Sequence, residues 1–192
     1  MRAFRWAMGL AVVAAVWNQA PLPGQGGGSK DEVKLKVVKY DELAELVRAN
    51  KGKVILLDFW ATTCIPCKLS FPYSVEMHKQ FGGKDLVVIS VATDPLTDVF
   101  MVGDFKDPQP KMLKFLQDQK ATFTNVVLDE PASVLIDKLR ITAVPCLYVF
   151  NREGQWAQFI GDKLKVDEKH RPYQVEEYIK QLLAQPAKTA SK

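Results

Sequence analysis

The stretch that most constrains the fold of this chain is a run of mostly apolar residues, Val54–Trp60, followed after three residues by two cysteines, Cys64 and Cys67. Such a run, bounded by turn residues, predicts a strand that is buried on both faces. Residues 68–81 can then form a helix, which Cys64 would open. At that position the free backbone N–H groups and the positive end of the helix dipole stabilise a thiolate, the reactive form of cysteine.

The C-x-x-C spacing places Cys67 one helical turn beyond Cys64 on the same face, within reach of a disulfide bond. A static disulfide or half of a metal site would use the same spacing. A zinc site needs about four ligands, and His78 and His170 are the only histidines. The pattern therefore favours reversible redox chemistry, and we expect neither a metal nor another cofactor.

The first 20 residues resemble an export signal. Arg2 and Arg5 precede an apolar segment, 7–17, that is too short for the about 20 residues a membrane-spanning helix needs. An uncleaved anchor or a buried helix would also fit this segment. We predict a signal peptide over 1–20, and a mature form that does not span the membrane.

Residues 21–32 are rich in proline and glycine and predict a flexible linker. We expect one folded domain over 33–184 and a disordered tail over 185–192. The formal net charge is +4, and the excess of positive charge lies mainly at the two ends of the chain. The domain itself is nearly neutral, which argues against nucleic acid as a partner.

The rest of the chain alternates between strand-like and helix-like patterns. Asp41 is expected to cap the first helix, and Pro72 to kink or split the helix that follows the cysteines. The stretch 94–110 predicts a long loop. Predicted strands lie at 33–40, 86–93, 126–128, 144–150 and 155–160, and further helices at 41–49, 111–120, 131–139 and 174–184.

Three motifs in this order resemble the TlpA/ResA-like branch of the thioredoxin-like thiol–disulfide oxidoreductases. They are Phe-Trp-Ala-Thr-Thr-Cys-Ile-Pro-Cys-Lys over 59–68 with Phe-Pro at 71–72, Thr-Ala-Val-Pro over 142–145, and the turn Asn-Arg-Glu-Gly-Gln over 151–155. The resemblance implies the α/β thioredoxin fold, with a central mixed β-sheet flanked by helices. It also implies an extra N-terminal strand and helix, and an inserted loop.

The same resemblance implies roles for four residues. Cys64 would attack the disulfide of a partner, and Cys67 would resolve the mixed disulfide. Asp58, on the buried strand, should have a raised pKa because it is desolvated, and would act as general acid and base for Cys67. A structural aspartate bonded to a nearby lysine is the alternative. Pro145 would follow a cis peptide bond and face the cysteines.

The expected surface for substrate consists of Ile65, Pro66, Val144 and Trp60, with Trp60 also contributing to the core. The backbone of Val144 would pair with an extended segment of the partner. The absence of a positive charge at Ile65 and Pro66 favours a reductant over a strong oxidant.

This sequence departs from the family pattern at three positions. Thr63 replaces the usual aromatic residue before the first cysteine, Ser70 replaces an acidic residue, and Cys146 replaces the residue that often is threonine. We expect Cys146 to pack as a small apolar side chain. A third redox thiol or an intermolecular disulfide remains open for it.

The predicted function is therefore that of an exported oxidoreductase, acting in the bacterial periplasm or at the outer face of the membrane. Its partners would be disulfide- or dithiol-containing proteins and a membrane electron donor. The alternative is a binding or assembly module in which Cys64 and Cys67 form a structural disulfide. Peroxide reduction on the same fold is disfavoured by the C-x-x-C pair.

Overall fold

The computed structural model describes residues 32–83, 85–96 and 107–186. The predicted signal peptide and almost all of the linker, most of the tail and the middle of the loop 94–110 lie outside these residues and stay predictions. No helix in the described ranges is both long enough and apolar enough to cross a lipid bilayer.

Six strands form one mixed sheet with the spatial order β1-β4-β3-β2-β5-β6. The pairs β1–β4, β4–β3 and β3–β2 are parallel, whereas β2–β5 and β5–β6 are antiparallel. The strands are β1 Lys36–Val38, β2 Val54–Trp60, β3 Leu86–Ala92, β4 Thr124–Leu128, β5 Cys146–Phe150 and β6 Trp156–Ile160.

In the described ranges, five α-helices cover the two faces of the sheet: α1 Tyr40–Ala49, α2 Ile65–Phe81, α3 Gln109–Asp118, α4 Ala132–Asp137 and α5 Tyr173–Ala184. Apolar side chains of α2, α3 and α5 form one core cluster, and those of α1 and α4 belong to the second. The thioredoxin fold expected from the resemblance is confirmed, including the additional β1 and α1.

The central strand β2 is buried along its whole length, as its apolar run predicts. Its side chains alternate between the two cores: Leu56 and Trp60 pack under α2, whereas Leu57 and Phe59 pack on the other face. This alternation places Asp58 on the face that carries α2.

The prediction that Asp41 caps α1 is wrong, and so is the expectation that Pro72 could split α2; a kink at Pro72 stays a prediction. Asp41 does not cap α1, because Lys39 occupies that position and its backbone N–H donates to Glu42 Oε2 over 3.0 Å. Pro72 does not split α2, which runs unbroken through it. Proline removes one backbone donor, and the buried side chains of Phe71 and Val75 keep this stretch packed against the sheet.

Several boundaries also shift. The first strand is only three residues long, β5 begins at Cys146 because the two residues before it form the cis-proline turn, and α3 begins at Gln109, two residues before the predicted start.

Candidate active site

The turn between β2 and α2 presents Cys64 at the edge of the sheet. The Cys64 N–H donates to the Ala61 carbonyl over 3.1 Å, and the Lys68 N–H donates to the Cys64 carbonyl over 3.2 Å. Cys64 is therefore the residue that caps α2, with Pro66 in the first turn of the helix. Its sulfur lies 3.2 Å from the Cys67 backbone nitrogen, which donates to it. The local geometry favours negative charge on this sulfur.

Cys64 and Cys67 form a disulfide bond. Cys64 is half-buried, whereas Cys67 is only 2% exposed. An outside group can approach the sulfur of Cys64, and Cys67 can reach that sulfur from the interior. This asymmetry fits an attacking cysteine and a resolving cysteine.

The loop before β5 faces the disulfide. The Val144–Pro145 peptide bond is cis, the conformation that the resemblance implies, and the Val144 carbonyl oxygen lies 3.5 Å from the Cys64 sulfur. Ile65 is 70% exposed and Pro66 is also exposed beside the disulfide. A shallow groove continues from Pro66, Val144 and Pro145 toward Leu164 and Val166. The structure thus places Ile65, Pro66, Val144 and Pro145 around the half-buried Cys64.

Trp60 does not take part in that surface. Its side chain is 0% exposed and packs against the rings of Phe71 and Phe115, with ring centroids 5.6 and 4.8 Å away. The predicted substrate contact is therefore corrected to core packing. The sequence could not distinguish a core residue from a surface residue here, because the nearly continuous apolar run of β2 does not alternate between a buried and an exposed face.

Asp58 is a buried carboxyl, 3% exposed, on the face of β2 that packs under α2. Burial raises its pKa from 3.8 to about 6, and the hydrogen bond from Ser74 opposes this rise. Ser74 Oγ donates to Asp58 Oδ2 over 2.6 Å. Among the described residues no lysine pairs with Asp58, and its hydrogen-bond partner is Ser74. The alternative of a structural aspartate bonded to a nearby lysine is therefore wrong.

Cys146 lies on the other face of the sheet, in the core with Phe59 and Tyr148. It is 0% exposed, and burial raises the pKa of its thiol to about 12. Gln158 Nε2 lies 3.5 Å from its sulfur. This placement agrees with the expected small apolar packing role.

Asp94 lies two residues beyond the end of β3 and is 7% exposed. No motif in the sequence pointed to this residue. Its carboxylate accepts the Thr62 backbone N–H over 2.9 and 3.0 Å and also accepts the Thr62 hydroxyl. The signal that could have found it is the parallel pairing of β2 with β3, which brings the ends of both strands to one edge.

A family model described as the AhpC/TSA family matches residues 32–158, about two thirds of the chain. The chain belongs to the AhpC/TSA family.

In the part of the chain that the structure describes, no cluster of three or more histidine, cysteine or acidic side chains could hold a metal ion.

Two relatives and one solved structure extend this comparison. The chain is 32% identical over 117 residues to the thiol-disulfide oxidoreductase ResA of Bacillus subtilis, covering 61% of this chain and 55% of that protein. It is 25% identical over 143 residues to the ResA of Oceanobacillus iheyensis, covering 73% of this chain and 67% of that protein. The chain thus spans a little over half of the first relative.

A structure described as a thiol:disulfide interchange protein DsbE from Chlorobium tepidum superposes with a TM-score of 0.54 at 24% identity. The superposition covers 72% of this chain and 85% of that one. It shows that the two proteins share a fold.

Proposed function

We propose that this family member is an exported thiol–disulfide oxidoreductase that reduces disulfides in partner proteins through Cys64 and Cys67. The observation that supports the proposal most directly is the asymmetric disulfide: an accessible sulfur at the N-terminus of a helix is bonded to a buried sulfur. The ResA relatives, which are named thiol-disulfide oxidoreductases, provide independent support for the thiol–disulfide exchange.

The reaction begins with the reduced protein. The Cys64 thiolate attacks one sulfur of the partner disulfide, so a Cys64–partner bond forms, the partner's own disulfide breaks, and one partner thiolate leaves. The Cys67 thiol then loses its proton and attacks the Cys64 sulfur, which breaks the mixed disulfide and releases the second partner thiolate. The partner gains two electrons, the protein loses two, and the two partner thiolates take up protons.

Asp58 is the candidate base for the second step. A carboxyl whose pKa burial raises to about 6 can accept a proton near neutral pH and return it when the pair is reduced again. It lies on the same side of the sheet as Cys67, in a core that excludes solvent.

Partner binding is assigned to the exposed surface beside the disulfide. Ile65 and Pro66 offer exposed apolar contact area, and the backbone of the half-buried residue Val144 at the cis-proline turn would pair with an extended segment of the partner. Pro145 shapes this turn. Thr63 is exposed and gives this surface a small, polar border.

Export, reducing direction and a membrane electron donor form the finer part of the proposal. Export is supported by the basic and apolar start of the chain, and a signal peptide over 1–20 with a linker over 21–32 would leave a domain over 33–184. Such a domain would act in the periplasm or at the outer face of the membrane, where a donor is needed to reduce the pair again.

Insulin reduction with dithiothreitol as the electron source tests the activity. The wild-type protein should accelerate the reaction, and Cys64→Ser should abolish the acceleration. Pre-reduced Cys67→Ser, mixed with insulin after the dithiothreitol has been removed, should accumulate a mixed disulfide on Cys64. Cys146→Ala is the matched control and should keep wild-type turnover, because this thiol is buried away from the site. Turnover by the Cys64→Ser variant, or no acceleration by the wild type, would contradict the proposal.

A further inference from the structure

The turn that presents Cys64 is bonded to the buried carboxylate of Asp94, which takes no part in the proposed exchange between Cys64, Cys67 and a partner. Asp94 lies beyond the end of β3 with 7% of its surface exposed. Both of its oxygens accept the Thr62 N–H, over 2.9 and 3.0 Å, and one oxygen also accepts the Thr62 hydroxyl. Thr62 stands two residues before Cys64, inside the turn that ends at the redox cysteine.

The preceding residue of the same segment contributes a parallel set of bonds. The Thr93 N–H donates to the Trp60 carbonyl over 2.8 Å, and its hydroxyl lies 3.2 Å from the same oxygen. Two successive residues after β3 therefore form hydrogen bonds with the last residue of β2 and with the turn that leads to Cys64. Because the Cys64 N–H bonds to Ala61 within this turn, the position of the Cys64 sulfur at the start of α2 depends on it.

Asp94 acts only as an acceptor in these bonds. None of the ion pairs formed by the residues that the structure describes involves Asp94. The Thr62 N–H and hydroxyl are neutral donors, so these bonds do not cancel the charge of the carboxylate.

We propose that Asp94 tunes the redox pair: it fixes the turn that places Cys64, and its negative charge raises the free energy of the Cys64 thiolate. Reduction of the disulfide adds two electrons, breaks the bond between the two sulfurs, and leaves a thiolate on Cys64 when Cys67 takes up a proton. A carboxylate bonded to Thr62, two residues before Cys64, destabilises the reduced form because its charge repels that of the thiolate. The pair then gives up its electrons more readily, so Asp94 favours a reductant.

The inference deepens the proposed function and rests on it for its biological meaning, but its central quantity, the pKa of Cys64, is measured without turnover. Asp94→Asn removes the charge and keeps the size and one acceptor oxygen. Asp85→Asn is the matched control, because Asp85 is an aspartate directly before β3, at the opposite end of the strand from Asp94. Thr62→Val removes only the hydroxyl and leaves the backbone N–H and the carboxylate.

The pKa of Cys64 in the reduced proteins is obtained from the pH dependence of its alkylation by iodoacetamide, with Cys64 identified by mass spectrometry. Asp94→Asn should lower this pKa by about one, a tenfold change in the thiolate equilibrium. At a pH above both values, the constant for reduction of the disulfide by dithiothreitol should rise about tenfold, which corresponds to about 30 mV. Asp85→Asn and Thr62→Val should leave the pKa close to that of the wild type.

A merely structural role for Asp94 would lower the urea midpoint of Asp94→Asn and leave the pKa and the potential unchanged. That result, or a rise in the pKa of Cys64, would overturn the inference. Asp94→Ser is prepared in parallel, since it removes the charge in a smaller side chain. It must show the same fall in pKa if the asparagine variant does not fold. Failure of wild-type insulin reduction would overturn the proposed function and not this electrostatic effect.

Discussion

Replacing Asp58 by asparagine should make the protein more stable at neutral pH and at the same time slow its turnover. In the folded protein burial raises the pKa of Asp58 from 3.8 to about 6. The difference between these values corresponds to about 3 kcal/mol of free energy that ionisation of Asp58 removes from the folded state. Asparagine has nearly the same shape, and its carbonyl oxygen can still accept the hydrogen bond from Ser74.

The sign of the pH dependence follows from the raised pKa. Between its unfolded and folded pKa values, Asp58 binds a proton more tightly in the folded protein. Its contribution to stability is therefore fully present below pH 3.8 and is lost as the pH rises through about 6. The wild type and Asp58→Asn should have similar free energies of unfolding near pH 4, and the variant should be more stable by about 2 to 3 kcal/mol above pH 7.

Urea unfolding of the oxidised proteins from pH 4 to pH 8 measures this difference. Insulin reduction by the same two proteins measures the catalytic effect, and loss of a general base should slow the variant by about a hundredfold or more. Higher stability together with slower turnover in Asp58→Asn would identify the role of Asp58 as catalytic and not structural. Parallel stability curves across the pH range, or equal turnover, would refute the reasoning.

Three further substitutions probe neighbouring parts of the structure. Ser74→Ala removes the bond that lowers the pKa of Asp58, so the loss of stability with rising pH should move to higher pH in the same urea titrations. Cys146 should resist iodoacetamide in the native protein at pH 8, because burial raises its pKa to about 12; rapid labelling would show that this thiol is accessible. Tyr148→Phe removes the hydroxyl that donates to the Leu139 carbonyl and should reduce the free energy of unfolding by about 1 kcal/mol at constant pH, whereas an unchanged urea midpoint would show that this bond contributes nothing net.

The elements whose stability comes from local pattern were predictable from the sequence. The short apolar run of β2, bounded by turn residues, predicts a buried strand, and β3 repeats the same pattern. The start of α1 was not predictable in this way. Asp41 is a favourable capping residue, but the Tyr40 N–H donates to the Glu130 carboxylate over 2.8 Å, and this contact joins residues ninety positions apart.

The candidate site shows the same division. The C-x-x-C pair, the buried Asp58 and the residues around Pro145 follow from motifs in the sequence, and the structure brings the cysteine pair and Val144 together. The burial of Trp60 and the bonds between Asp94 and Thr62 depend on how β2 and β3 align at their ends. Alignment of parallel strands is a tertiary property, and no local pattern around residue 94 indicates it.

The reduction potential of the Cys64–Cys67 pair tests the central claim most directly. Equilibration with dithiothreitol redox buffers at pH 7, followed by alkylation and mass spectrometry, gives the fraction of protein that is reduced. A redox centre should have a potential above about −300 mV, in the range of thioredoxin-like reductants, whereas structural disulfides lie below it. A value above that limit is the predicted result, and a value well below it would show that the bond is a static part of a binding module.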